Sequence, residues 1–148
     1  NVLNSGTGFL NPVEETTLTI PSTATKVITV GAYDARFDQA AAFSGRGYTR
    51  ATNQVKPDLV APGVEIMSCA PGGGYQVRTG TSMATPFVTG SAALLMQWGI
   101  VNGNDAYLYG EKMKAYLIRG ARKLPGFTVY PNPVLGWGAL CTANSIPR

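Results

Sequence analysis

The sequence predicts the α/β fold class, because runs of strand-forming residues are followed by stretches with helical signals. Residues 26–32 form a β-branched run between turn residues, which is typical of a buried strand. Residues 81–99 carry Pro86 near their start and end in Gly99, and this combination favours a helix. A further helix is predicted from an N-cap at residues 104–105 to Gly120, since its apolar residues recur at spacings of three and four.

The composition is that of a folded protein, and its 148 residues suffice for one ordinary domain. Hydrophobic residues make up 45% and charged residues 14%, which argues against disorder. No run of about 18 apolar residues occurs, so no membrane-spanning segment is predicted. Cys69 and Cys141 lack metal-ligand spacing, and we interpret them as free or buried thiols rather than as a disulfide.

The basic residues are concentrated late in the chain. The net charge is +4, and five of the twelve basic residues lie between residues 112 and 123. No aromatic-interleaved basic motif accompanies them, so we do not expect nucleic acid as a partner. We predict instead that these side chains lie on a solvated helix face.

The middle of the chain predicts a second extended region. Residues 56–63 read KPDLVAPG, a short apolar piece between two prolines, and a strand is predicted to follow at residues 64–70. Pro71 and the three glycines after it predict a hairpin-like turn, not a phosphate-binding loop, because the Gly-Lys-Ser/Thr of that loop is missing. Asp58 could be a buried hydrogen-bonded carboxylate or a weak cation ligand. A lone carboxylate favours the structural interpretation.

Ser82 is the candidate catalytic residue in this sequence. Pro86 fits only the first turn of a helix and therefore predicts a helix start near Thr81 or Ser82, directly after a sharp turn at Gly80. Ser82 would then lie beside unpaired N–H groups and the positive end of the helix dipole, as a developing oxyanion requires. The alternative for a lone serine at this position is an ordinary N-cap.

Several segments together carry a family resemblance. They are TGTSMATPFVTG at residues 79–90, KPDLVAPG at residues 56–63, VITVGAYD at residues 27–34, FSGRG at residues 43–47 and LGWGAL at residues 135–140. This set resembles the subtilisin-like serine proteases, or subtilases. The resemblance implies an α/β, subtilisin-like fold with a mainly parallel sheet flanked by helices. Residues 1–148 would be the C-terminal portion of a subtilase catalytic domain.

The resemblance also implies a mechanism. Ser82 would be the nucleophile of a Ser-His-Asp triad in an endopeptidase, and the Thr81 hydroxyl would support the oxyanion hole. The chain contains no histidine, and the subtilase triad runs Asp, His, Ser along the sequence. We therefore expect an upstream segment or a separate chain to carry the histidine and the aspartate. Polypeptides are the expected substrates, and the isolated chain is expected to be inactive.

Other parts of the site follow from the same resemblance. Asn1 or Asn4 could be the asparagine that donates to the oxyanion, or that asparagine could lie before residue 1. A turn asparagine explains Asn1 and Asn4 equally. Residues 17–20 would help to form the pocket for the residue before the scissile bond. Phe87 stands where many subtilases have a histidine, which is not the catalytic base.

The remaining expectations concern cofactors, location and alternatives. No cofactor or metal ligand is predicted, although the parent could hold structural calcium, and the resemblance favours secretion. A non-catalytic subtilase-like binding or regulatory domain is the alternative function. An unrelated esterase is disfavoured, because its elbow needs Gly-x-Ser-x-Gly and a later histidine, whereas Ala84 holds the last position.

Overall fold

The computed structural model describes residues 8–147 and confirms the α/β class. Asn1 and Asn4 lie outside the described residues. The elements, in chain order, are β1 Val30–Asp34, β2 Gln39–Ala40, β3 Leu59–Pro62, β4 Ile66–Cys69, β5 Tyr75–Arg78, α1 Thr81–Met96, a π-helical segment Gln97–Val101, α2 Gly110–Gly120 and α3 Thr142–Ser145.

A small sheet forms the centre of the described residues. Its order is β2-β1-β3, in which β1 pairs parallel with β3 and antiparallel with β2. The parallel register aligns Ala32 with Ala61, and both are fully buried, as strands covered on both faces require. The strands β4 and β5 form a separate antiparallel hairpin, which confirms the turn predicted at the three glycines.

The helix α1 packs on β1 and β3 through small and apolar residues. Ala84, Val88 and Leu95 are buried in one core cluster with Leu59 and Leu117. Because these α1 residues recur at spacings of four and seven, they form one face of the helix. This packing fixes the N-terminal end of α1 relative to the sheet.

The closing segment, residues 135–140, runs along β3, so this motif lies beside the motif at residues 56–63. Val60 donates to the Gly138 carbonyl at 2.9 Å and accepts from the Leu140 amide at 2.8 Å. Gly136 has φ 57°, and a Cβ there would come within 2.1 Å of the Pro57 carbonyl oxygen. Only glycine fits this close approach.

Three sequence-predicted boundaries are wrong. The strand begins at Val30 rather than at residue 26, and the later strand is limited to Ile66–Cys69. Helix α1 does not stop at Gly99 but continues as the π-helical segment to Val101. Gly99 is buried there, and an added Cβ would lie 3.0 Å from the Leu108 side chain and 3.1 Å from the Asp105 carbonyl oxygen.

The predicted N-cap of the second helix is also wrong. Helix α2 begins at Gly110 with Tyr109 as N-cap. Asp105 instead accepts hydrogen bonds from Lys112 at 2.6 Å and from the Tyr116 hydroxyl at 2.7 Å. The side chain therefore fastens the connection between α1 and α2 and caps neither helix.

The late basic residues are not simply a solvated face. Three of them form ion pairs that join separate parts of the chain, and Lys123 lies 4.0 Å from the centre of the Tyr130 ring. The ion pairs are Lys112 with Asp105, Lys114 with Asp58 and Arg122 with Asp38. Much of this positive charge is therefore engaged within the protein.

Within residues 8–147, one helical stretch meets the length and composition of a membrane span. It runs from Thr81 to Val101, and 28% of its most apolar window is buried. It was not predicted from the sequence, because polar residues interrupt its apolar run. A core helix meets the same criterion, and α1 packs on β1 and β3.

Candidate active site

Ser82 is the second residue of α1, directly after the turn that follows β5. The helix starts at Thr81 with Gly80 as N-cap, as the sequence predicts. Pro86 lies one turn further inside the helix than the sequence argument placed it. Since proline has no N–H, residue 86 donates no intrahelical bond to the Ser82 carbonyl.

Two hydrogen bonds fasten the base of the β4–β5 hairpin next to Ser82. The Gly80 amide donates to the Gly63 carbonyl at 2.8 Å, and the Glu65 amide donates to the Thr79 hydroxyl at 2.9 Å. The turn before the serine is thus held against the end of β3. The sequence argument missed this role of Gly63.

Gly63 allows this contact because it lacks a side chain. A Cβ there would lie 2.6 Å from the Ala32 Cβ and 2.9 Å from the Gly80 carbonyl oxygen. Both distances are too short for ordinary van der Waals contact. The Ala-Pro-Gly end of the 56–63 motif thereby contributes to the placement of the serine.

The Ser82 side chain is exposed, and Ser82 contributes to the lining of two cavities of different character. The first cavity, of about 510 Å³, contains Ser82, Thr81 and Thr85 in its lining. The second, of about 290 Å³, is lined by Met67 of β4 and by residues around Ser82. A chain bound at the serine would therefore find depressions next to it.

The loop at residues 17–19 lines the first cavity, where the resemblance placed a pocket wall. The Thr17 amide donates to the Arg46 carbonyl at 2.8 Å, and the Arg46 amide donates to the Thr17 hydroxyl at 2.9 Å. Gly47 leaves room for Leu18, whose Cδ1 would lie 2.4 Å from an added Cβ. The Phe-Ser-x-x-Gly segment therefore supports this loop.

Asp58 is a buried, hydrogen-bonded carboxylate, in agreement with its structural interpretation. It pairs with Lys56 and with Lys114, each at 2.7 Å, and accepts from the Thr29 amide at 2.7 Å. Burial lowers the pKa of the Lys56 ammonium from its ordinary value, whereas the ion pair with Asp58 opposes that change. The sequence signal that could have predicted this cluster is Lys56, two residues before Asp58.

Ser82 is the candidate nucleophile, and the chain contains no histidine that could act as its base. Across residues 8–147, no three His, Cys, Asp or Glu side chains are grouped to hold a metal ion. Thr81 is half-buried in the first cavity, and the part assigned to its hydroxyl stays a prediction. The arrangement is that of an exposed serine in the first turn of a helix on an α/β scaffold.

Known proteins are similar to this chain in sequence and in fold. Residues 4–138 match the model of the subtilase family. The chain is 35% identical to the serine protease AprX of Bacillus subtilis over 88% of its length, which is 32% of AprX. It is 34% identical to the minor extracellular protease Vpr of Bacillus subtilis over 74% of its length and 14% of Vpr. The chain belongs to the subtilase family.

A solved structure gives the same result for the fold. The chain is similar to the CspB protease of Clostridium perfringens with a TM-score of 0.91 and 47% sequence identity. The match covers 96% of this chain and 30% of CspB. The chain thus spans less than a third of the relatives described here.

Proposed function

We propose that this chain is the nucleophile-bearing part of a serine endopeptidase. The observation that carries the proposal is the exposed Ser82 at the start of α1, next to two cavities and in a subtilase scaffold. Ser82 Oγ attacks the peptide carbonyl while a histidine accepts its proton and an aspartate orients that histidine. Both partner residues come from a segment that this chain does not contain.

The oxyanion is stabilised at the N-terminus of α1. The backbone N–H of Ser82 points out of the first turn, where helical N–H groups have no intrahelical partner. The Thr81 hydroxyl and an asparagine side chain, Asn1 or Asn4 being the candidates in this chain, add further donors.

The missing segment packs on the exposed face of α1. An open cavity of about 490 Å³ runs along that face, lined by Ser82, Thr85, Pro86 and Thr89. Phe87 and Leu94 expose 42% and 54% of their surface, which is costly for large apolar side chains on a free helix. A segment that brings histidine to Ser82 and covers these side chains explains both features. It also accounts for the apolar character of α1 without a membrane.

The substrate is a polypeptide. The described lining of the first cavity consists of apolar and hydroxyl side chains without a charged group, which suits an uncharged residue before the scissile bond. The chemistry requires no cofactor. We propose secretion because the family resemblance favours it and because Vpr is a minor extracellular protease.

The test uses the complete enzyme, by which we mean this chain together with the segment that supplies histidine and aspartate. A fluorophosphonate probe should label Ser82, and Ser82→Ala should abolish both labelling and peptide hydrolysis. Thr128→Ala is the matched control, because Thr128 carries an exposed hydroxyl that lines neither cavity beside Ser82 and should be dispensable.

Two results would contradict the proposal. An unlabelled Ser82 in the complete enzyme would favour the non-catalytic binding or regulatory domain. Peptide turnover by the isolated chain that disappears in Ser82→Ala would contradict the requirement for a second segment.

A further inference from the structure

A buried ion cluster lies behind the first cavity. Its members are Lys56, Asp58 and Lys114, whose side chains expose 1%, 5% and 18% of their surface. One carboxylate thus faces two ammonium groups, each at 2.7 Å, so that one positive charge remains uncompensated. Buried charges need further polar partners, and here these partners are backbone groups.

The backbone groups belong to residues 25–29, which we call the wall segment. Lys56 Nζ donates to the Val27 carbonyl at 3.0 Å, and Lys114 Nζ donates to the same carbonyl at 3.1 Å. Lys114 also reaches the Thr25 carbonyl at 3.2 Å, and the Thr29 amide donates to Asp58 at 2.7 Å. The cluster therefore binds every second residue of the wall segment, namely Thr25, Val27 and Thr29.

The wall segment needs this support because it lies outside the sheet. The strand β1 begins only at Val30, so residues 25–29 have no ladder of strand hydrogen bonds. The last residue of the wall segment also bonds to the backbone of the 56–63 motif. The Thr29 carbonyl accepts from the Asp58 amide at 2.8 Å and from the Leu59 amide at 3.4 Å. At Thr25 and Val27 the hydrogen bonds come from the two lysines.

The same segment faces the candidate substrate site. Val27, Ile28 and Thr29 line the 510 Å³ cavity opposite Thr81 and Ser82, as does Pro57 between the two charged residues of the motif. A change in the position of the wall segment therefore changes the shape of the cavity, while Ser82 stays on α1.

We propose that Lys56, Asp58 and Lys114 are positioning residues, which hold the wall segment where it contacts the substrate side chain next to the scissile bond. The proposal rests on the endopeptidase function above. Lys114 is the most informative member, because it comes from α2 and its removal leaves the Lys56–Asp58 pair in place. When Lys114 is replaced, the wall segment is therefore the part of the protein that loses hydrogen bonds most directly.

The experiment compares Lys114→Met with Lys112→Met in the complete enzyme. Lys112 is on the same helix but pairs with Asp105, away from the wall segment. We expect Lys114→Met to lower kcat/KM for peptide substrates about tenfold, mainly through KM, as the loss of one charge-assisted hydrogen bond would. Lys112→Met should leave KM unchanged, and Lys114→Arg should restore part of the loss.

Two further measurements separate the possible failures. Diisopropyl fluorophosphate is too small to need the cavity wall, so it should label Ser82 in Lys114→Met at the wild-type rate. Hydrogen exchange should rise across residues 25–29 and stay unchanged in α1. An unlabelled wild-type Ser82 would overturn the proposed function, whereas unchanged KM and unchanged exchange in a labelled Lys114→Met would overturn the positioning role alone.

Discussion

Replacing Gly63 by alanine should displace the turn that carries Ser82. The new Cβ would lie 2.6 Å from the Ala32 Cβ, about 0.8 Å short of an ordinary contact at 3.4 Å. It would also lie 2.9 Å from the Gly80 carbonyl oxygen, about 0.5 Å short of the same limit. Since Ala32 is fully buried in the sheet, we expect the hairpin base and Gly80 to move instead.

The expected magnitudes follow from this displacement. Overpacking a buried site costs about 1–3 kcal/mol of unfolding free energy. A misplacement of 1 Å in an active site can reduce the rate about a hundredfold. A shift of roughly half that size, two residues before Ser82, should reduce kcat/KM by roughly tenfold or more.

The assay measures urea unfolding and peptide hydrolysis of the complete enzyme side by side. Gly110→Ala is the matched control, because a Cβ at this first residue of α2 meets nothing within 4 Å. The control should keep wild-type activity and gain less than about 1 kcal/mol in stability through its helix propensity. A Gly63→Ala enzyme with the wild-type urea midpoint and wild-type kcat/KM would refute this account of the turn.

Three other outcomes test the fold. Leu117→Ala, at a fully buried position, should lower the unfolding free energy by about 2–5 kcal/mol in urea titrations, and a loss below 1 kcal/mol would contradict its place in the core. The hydrogen bond from Lys112 holds the pKa of Asp105 below its ordinary 3.8, so its contribution is complete above that pH and disappears as pH falls through the lower folded value. Urea midpoints between pH 2 and 6 should therefore fall more steeply in wild type than in Asp105→Asn, and parallel curves would argue against the pair. Cys69 is exposed and Cys141 half-buried, so a thiol reagent should modify Cys69 first, and a reductant that lowers the thermal midpoint would contradict two free thiols.

Local signals in the sequence predicted the start of α1 correctly. Gly80 permits the sharp turn before Ser82 and Pro86 fixes its own φ near the helical value, so both signals lie within a few residues of the helix start. The hairpin at residues 72–74 was predictable for the same reason, since its glycines adopt positive φ angles that the turn requires. Both features depend on the backbone preferences of residues that are close together in the sequence.

The incorrect predictions depend on tertiary contacts. Gly99 has the composition of a helix end, but Asp105 and Leu108 from the connection after the helix pack against it. The β-branched residues before Val30 have strand propensity, yet the ion cluster of Lys56 and Lys114 fixes them in an irregular path. Packing overrides the local signal at Gly99, and buried charge from a distant part of the chain overrides it before Val30.

The clamped base of the β4–β5 hairpin has a consequence for protein engineering. The bonds at Gly63 and Glu65 close the hairpin before its strands begin, so the turn before Ser82 is held independently of the tip. At the tip, Gly72, Gly73 and Gly74 have no neighbouring atoms within 4 Å of an added Cβ. Lengthening such a loop costs little closure entropy. The tip is therefore a place where an affinity tag or a recognition peptide can be grafted without passing strain to the turn that carries Ser82.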